Sequence, residues 1–158
     1  MVTVEKYNGC FDDEIISLIL SIQNQEAKIN LSLEEQPDLR NIKKFYQDAG
    51  GEFWVALYNG RVIGTIGIMP KGNNCAVLKK FFVDAEYRSQ KVGLRLYLTL
   101  IEYARKNNVK TIILDTPSVA KASHRFYERA GFRRISKEQL PVEYTYPDRD
   151  SLLYMLDL

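Results

Sequence analysis

The chain has 158 residues, 46% apolar and 27% charged, enough for one domain to close around a single core. Its 7 Phe, 10 Tyr and 1 Trp argue against disorder, and 22 basic against 20 acidic residues leave a net +2, too little for a nucleic-acid binder. One histidine, His124, and two distant cysteines, Cys10 and Cys75, match no metal or disulfide spacing, so no metal is expected.

The apolar stretch at 15–22 contains Ser17 and Ser21 and falls far short of the roughly 20 residues a membrane-spanning helix needs. No basic flank followed by an apolar run opens the chain. The expectation is a cytoplasmic domain without membrane association.

Asp12, Asp13 and Glu14 stand where the positive end of a helix favours acids, and Phe11, Ile15, Leu18, Ile19 and Ile22 follow at helical spacing. Pro37-Asp38 opens a second predicted helix, with Leu39, Ile42 and Phe45 on one side and Gly50-Gly51 as its stop. Two β-rich runs, 53–58 and 61–68, flank Asn59-Gly60, a strong hairpin signal because both turn residues must accept positive φ. After a turn at 71–74 a third strand runs from about Cys75 to Val83.

The pattern then alternates. A long helix carries Leu96, Leu100, Ile101, Tyr103 and Ala104 and stops at Asn107-Asn108. Residues 109–114 read as a buried strand, and Thr116-Pro117-Ser118 as a turn into a helix that ends before Gly131. Residues 132–135 and 152–156 read as a closing pair of strands. Hairpins followed by a βαβ unit predict an α/β fold with a mixed sheet, and residues 1–158 read as one domain.

Charge is uneven along the chain. Residues 1–50 hold 9 acids and 5 bases, whereas residues 51–110 hold 4 acids and 10 bases. Most of the middle lysines fit a solvated face, but a local basic surplus can also hold a small polyanion. Arg88-Ser89-Gln90-Lys91-Val92-Gly93 puts a glycine and two cations immediately before a helix, whose first N–H groups and dipole favour a phosphate.

That turn, with the segment from Ser118 to Phe132, resembles the GNAT superfamily of acyl-CoA-dependent N-acyltransferases. Arg88 and Gly93 stand at the ends of the family's Arg/Gln-x-x-Gly-x-Gly/Ala turn, with Lys91 in place of the first glycine. Phe126, Tyr127, Glu128, Gly131 and Phe132 match the later motif, with Ala120 in place of its Asn and Ser123 in place of its Ala. The resemblance covers about 53–135 and implies a mixed, mostly antiparallel central sheet with splayed parallel strands, flanked by helices.

It also implies acetyl-CoA as co-substrate. The diphosphate would lie against Arg88, Ser89, Gln90, Lys91, Val92, Gly93 and Leu94. The pantetheine arm would pass Ala120 and Ser123 and pair with backbone at Phe81, Phe82 and Val83. The Tyr127 hydroxyl would donate a proton to the departing thiolate. Lys91 carries a Cβ that resists positive φ, and Ala120 forgoes one hydrogen bond, worth roughly 1 kcal/mol. His124 reads as solvent-exposed.

The implied reaction is acetyl transfer to a primary amine of a small molecule or peptide by direct attack. The acceptor pocket is expected from the segment at 29–38, with the aromatic late loop at 142–147, and Glu34, Glu35 and Glu143 in them are candidate bases. The acidic first third favours a cationic acceptor, and family habit points to a homodimer. A non-catalytic acyl-CoA-binding or sensing module is the alternative, and a basic nucleic-acid-binding domain a more distant one.

Overall fold

The computed structural model describes all 158 residues. Its strands are β1 (Val2–Lys6), β2 (Glu52–Tyr58), β3 (Arg61–Gly72), β4 (Cys75–Val83), β5 (Thr111–Pro117), β6 (Arg133–Ile135) and β7 (Ser151–Asp157). They form one seven-stranded sheet in the order β1-β2-β3-β4-β5-β7-β6. Every neighbouring pair is antiparallel except β4 with β5. Asn59 and Gly60 turn the first hairpin with φ of 51° and 74°, the positive values that their chemistry tolerates.

Three α-helices cover the sheet: α1 (Asp12–Ser21), α2 (Val92–Lys106) and α3 (Lys121–Arg129). Leu96, Leu100, Ile101 and Ala104 of α2 and Tyr127 of α3 pack on one face against Trp54, Ile66, Ile68, Ala76, Leu78, Ile112 and Leu114. On the other face Ile15 and Ile19 of α1 join Leu39, Ile42, Tyr46, Phe53 and Val55. Each fully buried Leu, Ile or Phe removes apolar surface worth about 1.5–3 kcal/mol, so these two layers hold the sheet from both sides.

Several elements differ from the sequence reading. β1 is an additional edge strand, pairing Val2 with Tyr58 and Lys6 with Trp54. Its short alternation leaves only Val2 and Val4 half-buried, too few apolar positions to stand out. The predicted helix after Pro37 is split into a 3₁₀ turn (Pro37–Arg40) and a π-helical turn (Lys43–Gln47), which together turn Leu39, Ile42 and Tyr46 inward. Thr116 and Pro117 belong to β5 and pair with Leu152 and Ser151, so the turn begins at Ser118.

The parallel pair is short. It holds Cys75 to Thr111, Ala76 to Ile112 and Val77 to Ile113, and then the strands part. The cause lies on the other side of β4. Between Gly67↔Lys79 and Thr65↔Phe82, β4 spends one residue more than β3, and Lys80 takes up the excess at φ 54°. An inserted residue bends and twists its strand, here away from β5.

The Thr65 hydroxyl donates to the displaced Lys80 carbonyl at 2.7 Å. Lys80 Nζ pairs with Asp38 at 3.6 Å, and Asp38 accepts from the Tyr46 hydroxyl at 2.7 Å. The Tyr46 ring lies where a Cβ on Gly67 would stand, 2.7 Å from its nearest ring atom.

Gly67→Ala therefore displaces Tyr46 and Phe53 and loosens Asp38. Overpacking of this kind costs about 1–3 kcal/mol, read as a lower urea midpoint with an unchanged m-value.

Candidate active site

Beyond Val77 and Ile113 the facing edges of β4 and β5 have no strand partner in each other. Residues 79–83 of β4 are half-exposed although the strand is central, so the gap is a cleft rather than core. Phe81, Phe82 and Val83 line it with backbone as well as side chains.

The head of α2 closes one end of the cleft. Asp84 caps a 3₁₀ turn (Ala85–Gln90) by accepting from the Glu86 N–H at 3.0 Å. Ser89 and Gln90 are exposed, and Lys91 then adopts the left-handed conformation, φ 60° and ψ 23°. This is the conformation the missing glycine would favour, and Lys91 accepts it at a cost of roughly 1–2 kcal/mol. Lys91 is also the N-cap of α2 and supplies no side-chain cap. The N–H groups of Val92, Gly93 and Leu94 therefore have no intrahelical acceptor.

A Cβ on Gly93 would meet Phe81 and Val83 at 3.5–3.7 Å, so this position serves close approach of α2 to β4 and tolerates Ala. Arg88 is anchored sideways. Its Nε donates to the Val83 carbonyl at 2.9 Å and its guanidinium pairs with Glu26 at 2.7 Å. The side chain thus ties the turn to the end of strand β4 and to the π-helical turn Ile22–Glu26 that extends α1.

On the face covered by α2 and α3 the cleft is aromatic. Tyr127 is buried among Phe81, Phe126, Phe132 and Tyr154, with ring centroids 5.5–6.3 Å apart. Burial, reinforced by the Asp115 carboxylate, pushes its phenol well above the ordinary tyrosine range, so it stays protonated at neutral pH. Its hydroxyl makes no hydrogen bond within the chain, yet no fully buried side-chain polar atom lacks a partner, so its tip reaches the cleft.

Ala120 is the N-cap of α3 without a capping side chain, and Ser123 is half-buried one turn on. His124, read as exposed, is buried instead, with Nε2 2.9 Å from the Pro117 carbonyl. The helical pattern placed it on a polar face, but extension of β5 through Pro117 puts a carbonyl there for the imidazole to meet.

The opposite face of the cleft is charged. Lys80 is nearly enclosed, and burial holds its ammonium below the ordinary lysine range against the pull of Asp38. Asp115, half-exposed on β5, has its pKa raised by desolvation, opposed by the hydroxyl of Tyr144 that donates to it and by the ammonium groups of Lys79 and Lys80.

The acceptor segment predicted at 29–38 folds beside this face. Asn24 clasps the backbone of Leu31 at 2.8 and 2.6 Å, and Gln23 and Gln36 exchange buried amide hydrogen bonds at 2.9 and 2.8 Å. The three glutamates singled out as bases lie outside the cluster. Glu34 is 3.8 Å from Arg40, Glu35 pairs with Arg149 at 2.5 Å, and Glu143 is exposed. Asp38 and Tyr144 fall within the two segments expected to form the acceptor pocket, whereas Lys79, Lys80 and Asp115 had no place in the expected site. Charged residues interrupting two otherwise apolar strands are visible in the sequence, but only the register of β4 and β5 puts Lys79 and Asp115 at one depth.

A mixed sheet split beside the bare head of a helix is an α/β arrangement that this chain shares with solved acetyltransferases. Residues 17–132 match the Acetyltransferase (GNAT) family, and the chain belongs to that family. An acetyltransferase of the GNAT family from Staphylococcus aureus is 36% identical, with 99% of each chain covered and a TM-score of 0.96.

N-acetylaspartate synthetase of Danio rerio is 32% identical over 112 residues, 70% of this chain. The chain spans 39% of that protein's length. The PaiA N-acetyltransferase of Thermoplasma acidophilum, solved in complex with coenzyme A, shares the fold at 15% identity and a TM-score of 0.77, covering 100% of this chain and 99% of its own.

Relief of the left-handed strain gives a direct check on the turn. Lys91→Gly is expected to raise stability by about 0.5–1 kcal/mol, a melting temperature about 1–4 °C higher. Lys91→Ala, which keeps the Cβ, leaves it nearly where it was.

Proposed function

We propose that the chain is an N-acetyltransferase that moves an acetyl group from acetyl-CoA to a primary amine by direct attack. The observation that carries this reading is the open fork of β4 and β5, with a protonated Tyr127 on one wall and the uncapped head of α2 at its end.

The residues present fit such a co-substrate. The free N–H groups of Val92, Gly93 and Leu94 offer donors to a diphosphate, and exposed Ser89, Gln90 and Lys91 stand beside them. Arg88 acts by holding the turn in shape through Val83 and Glu26. The edge of β4 turned away from β3 at Phe81, Phe82 and Val83 receives the amide-bearing pantetheine arm as a further strand would be received. A backbone N–H there steadies the charge that grows on the thioester oxygen. Ala120 and Ser123 border the arm on the α3 side.

Acetyl-CoA supplies an activated carbonyl carbon. The chain holds the amine and that carbon together in the fork, which removes much of the entropic barrier. A covalent intermediate on the protein is unnecessary, because a neutral amine is nucleophile enough. Cys75 lies buried at the closed end of the fork with its thiol pushed up by burial, and Cys10 is exposed in the loop before α1. Tyr127, kept protonated, returns a proton to the thiolate as it leaves.

Acetyl-CoA at a hundredfold excess over its Kd is expected to stabilise the chain by about 2.7 kcal/mol. Tyr127→Phe retains that shift but lowers kcat by about a hundredfold or more. Binding without turnover in the unaltered chain favours the sensing module instead.

A further inference from the structure

The register of the parallel pair identifies what stands at the mouth of the fork. Val77 faces Ile113 in the last paired position, and both side chains point to the face that holds Tyr144. Two residues further along each strand, on that same face, come Lys79 and Asp115, the first such residues after the strands part.

Their neighbours are satisfied. Lys80 pairs with Asp38, and Asp38 also accepts from Tyr46. Lys79 makes no ion pair and no side-chain hydrogen bond. Asp115 makes no ion pair, and Tyr144 donates to only one of its carboxylate oxygens. The acids of the first third, which gave that segment its negative surplus, are largely engaged: Asp12 with Tyr7, Glu26 with Arg88, Glu34 with Arg40, Glu35 with Arg149 and Asp48 with Lys43. Two opposite charges without ion-pair partners therefore flank the slot through which an amine reaches the thioester.

We propose that the acceptor is a small zwitterion, an amine with a carboxylate on a neighbouring carbon, whose carboxylate binds Lys79 and whose ammonium is deprotonated by Asp115. This names the substrate class of the transferase reading above and rests on it. Asp115 takes one proton from the ammonium and later releases it to solvent. The amine lone pair forms the C–N bond to the acetyl carbon, and the C–S bond breaks with its electrons on sulfur. Tyr127 protonates that sulfur and recovers a proton from the new amide nitrogen. Tyr144 is a positioning residue that fixes the Asp115 carboxylate. The charged and titratable groups facing Asp115 are Lys79 and Lys80 from β4, Tyr127 from α3, and Tyr144 and Tyr146 from the late loop.

The test measures thiol release from acetyl-CoA with amino acids, the matching amino-acid amides and a linear diamine, alongside acetyl-CoA affinity. Amino acids are expected to exceed their amides in kcat/KM by about tenfold or more, the worth of a charge-assisted hydrogen bond. Lys79→Met brings the two values together, chiefly through KM for the amino acids, and Lys79→Arg restores part of the gap. Asp115→Asn lowers kcat about a hundredfold and abolishes the acid limb of the pH profile. Tyr144→Phe moves that limb to higher pH, because the lost hydrogen bond had favoured the ionised carboxylate, an effect that a merely structural tyrosine would not have.

Equal use of amides or diamines, or a ratio indifferent to Lys79→Met, overturns the proposal while leaving the transferase reading intact. Failure of acetyl-CoA to bind overturns both.

Discussion

One extra residue in β4 shapes everything that follows. Lys80 cannot enter the ladder with β3, so it turns left-handed and the strand swings off its parallel neighbour. A backbone in that conformation is unfavourable by roughly 1–2 kcal/mol. It persists because its freed carbonyl takes the Thr65 hydroxyl and its ammonium takes Asp38, itself held by a tyrosine ring seated on Gly67. Separated strand edges deep in a core would leave backbone donors and acceptors unpaired. Here they line an accessible cleft, where the same groups are the binding surface of the proposed reading.

The sheet divides that cleft into two chemical environments. Toward α2 and α3 lie Phe81, Tyr127, Phe126 and Phe132, apolar apart from one phenol tip. Toward the late loop and the segment after α1 lie Lys79, Lys80, Asp38, Asp115 and Tyr144. On the proposed reading, a thioester bound along the fork has the Tyr127 hydroxyl on one side and charged groups on the other, so leaving group and nucleophile would be served by opposite faces. Alternation of side chains along β4 and β5 produces this division, with the bulge putting two lysines in succession on the polar face.

What the sequence made legible followed from strong local chemistry. Asn59-Gly60 announced the hairpin because few residue pairs tolerate its backbone, and the spacing from Leu96 to Ala104 announced α2. The helix-head turn was recognisable through Arg88 and Gly93, although Arg88 spends its side chain on Val83 and Glu26 rather than standing free. Lys91 adopts the backbone of the glycine it replaces, an outcome that depends on the turn around it and not on lysine's own preference. β1 escaped notice because an edge strand with two half-buried valines has little pattern. The segment after Pro37 misled because its apolar spacing suits α-helix, while the need to seat Tyr46 on Gly67 imposed a 3₁₀ turn and a π turn. Asp115 and the two lysines act as a group only through the register of strands far apart in the chain, which composition and spacing do not carry.

Amide hydrogen exchange, with and without acetyl-CoA, tests most directly whether the parted edge of β4 receives the thioester arm. The account predicts slower exchange in residues 78–83 and at Val92, Gly93 and Leu94 when acetyl-CoA is present. Unchanged exchange along β4 under saturating acetyl-CoA, with protection elsewhere in the chain, would contradict it.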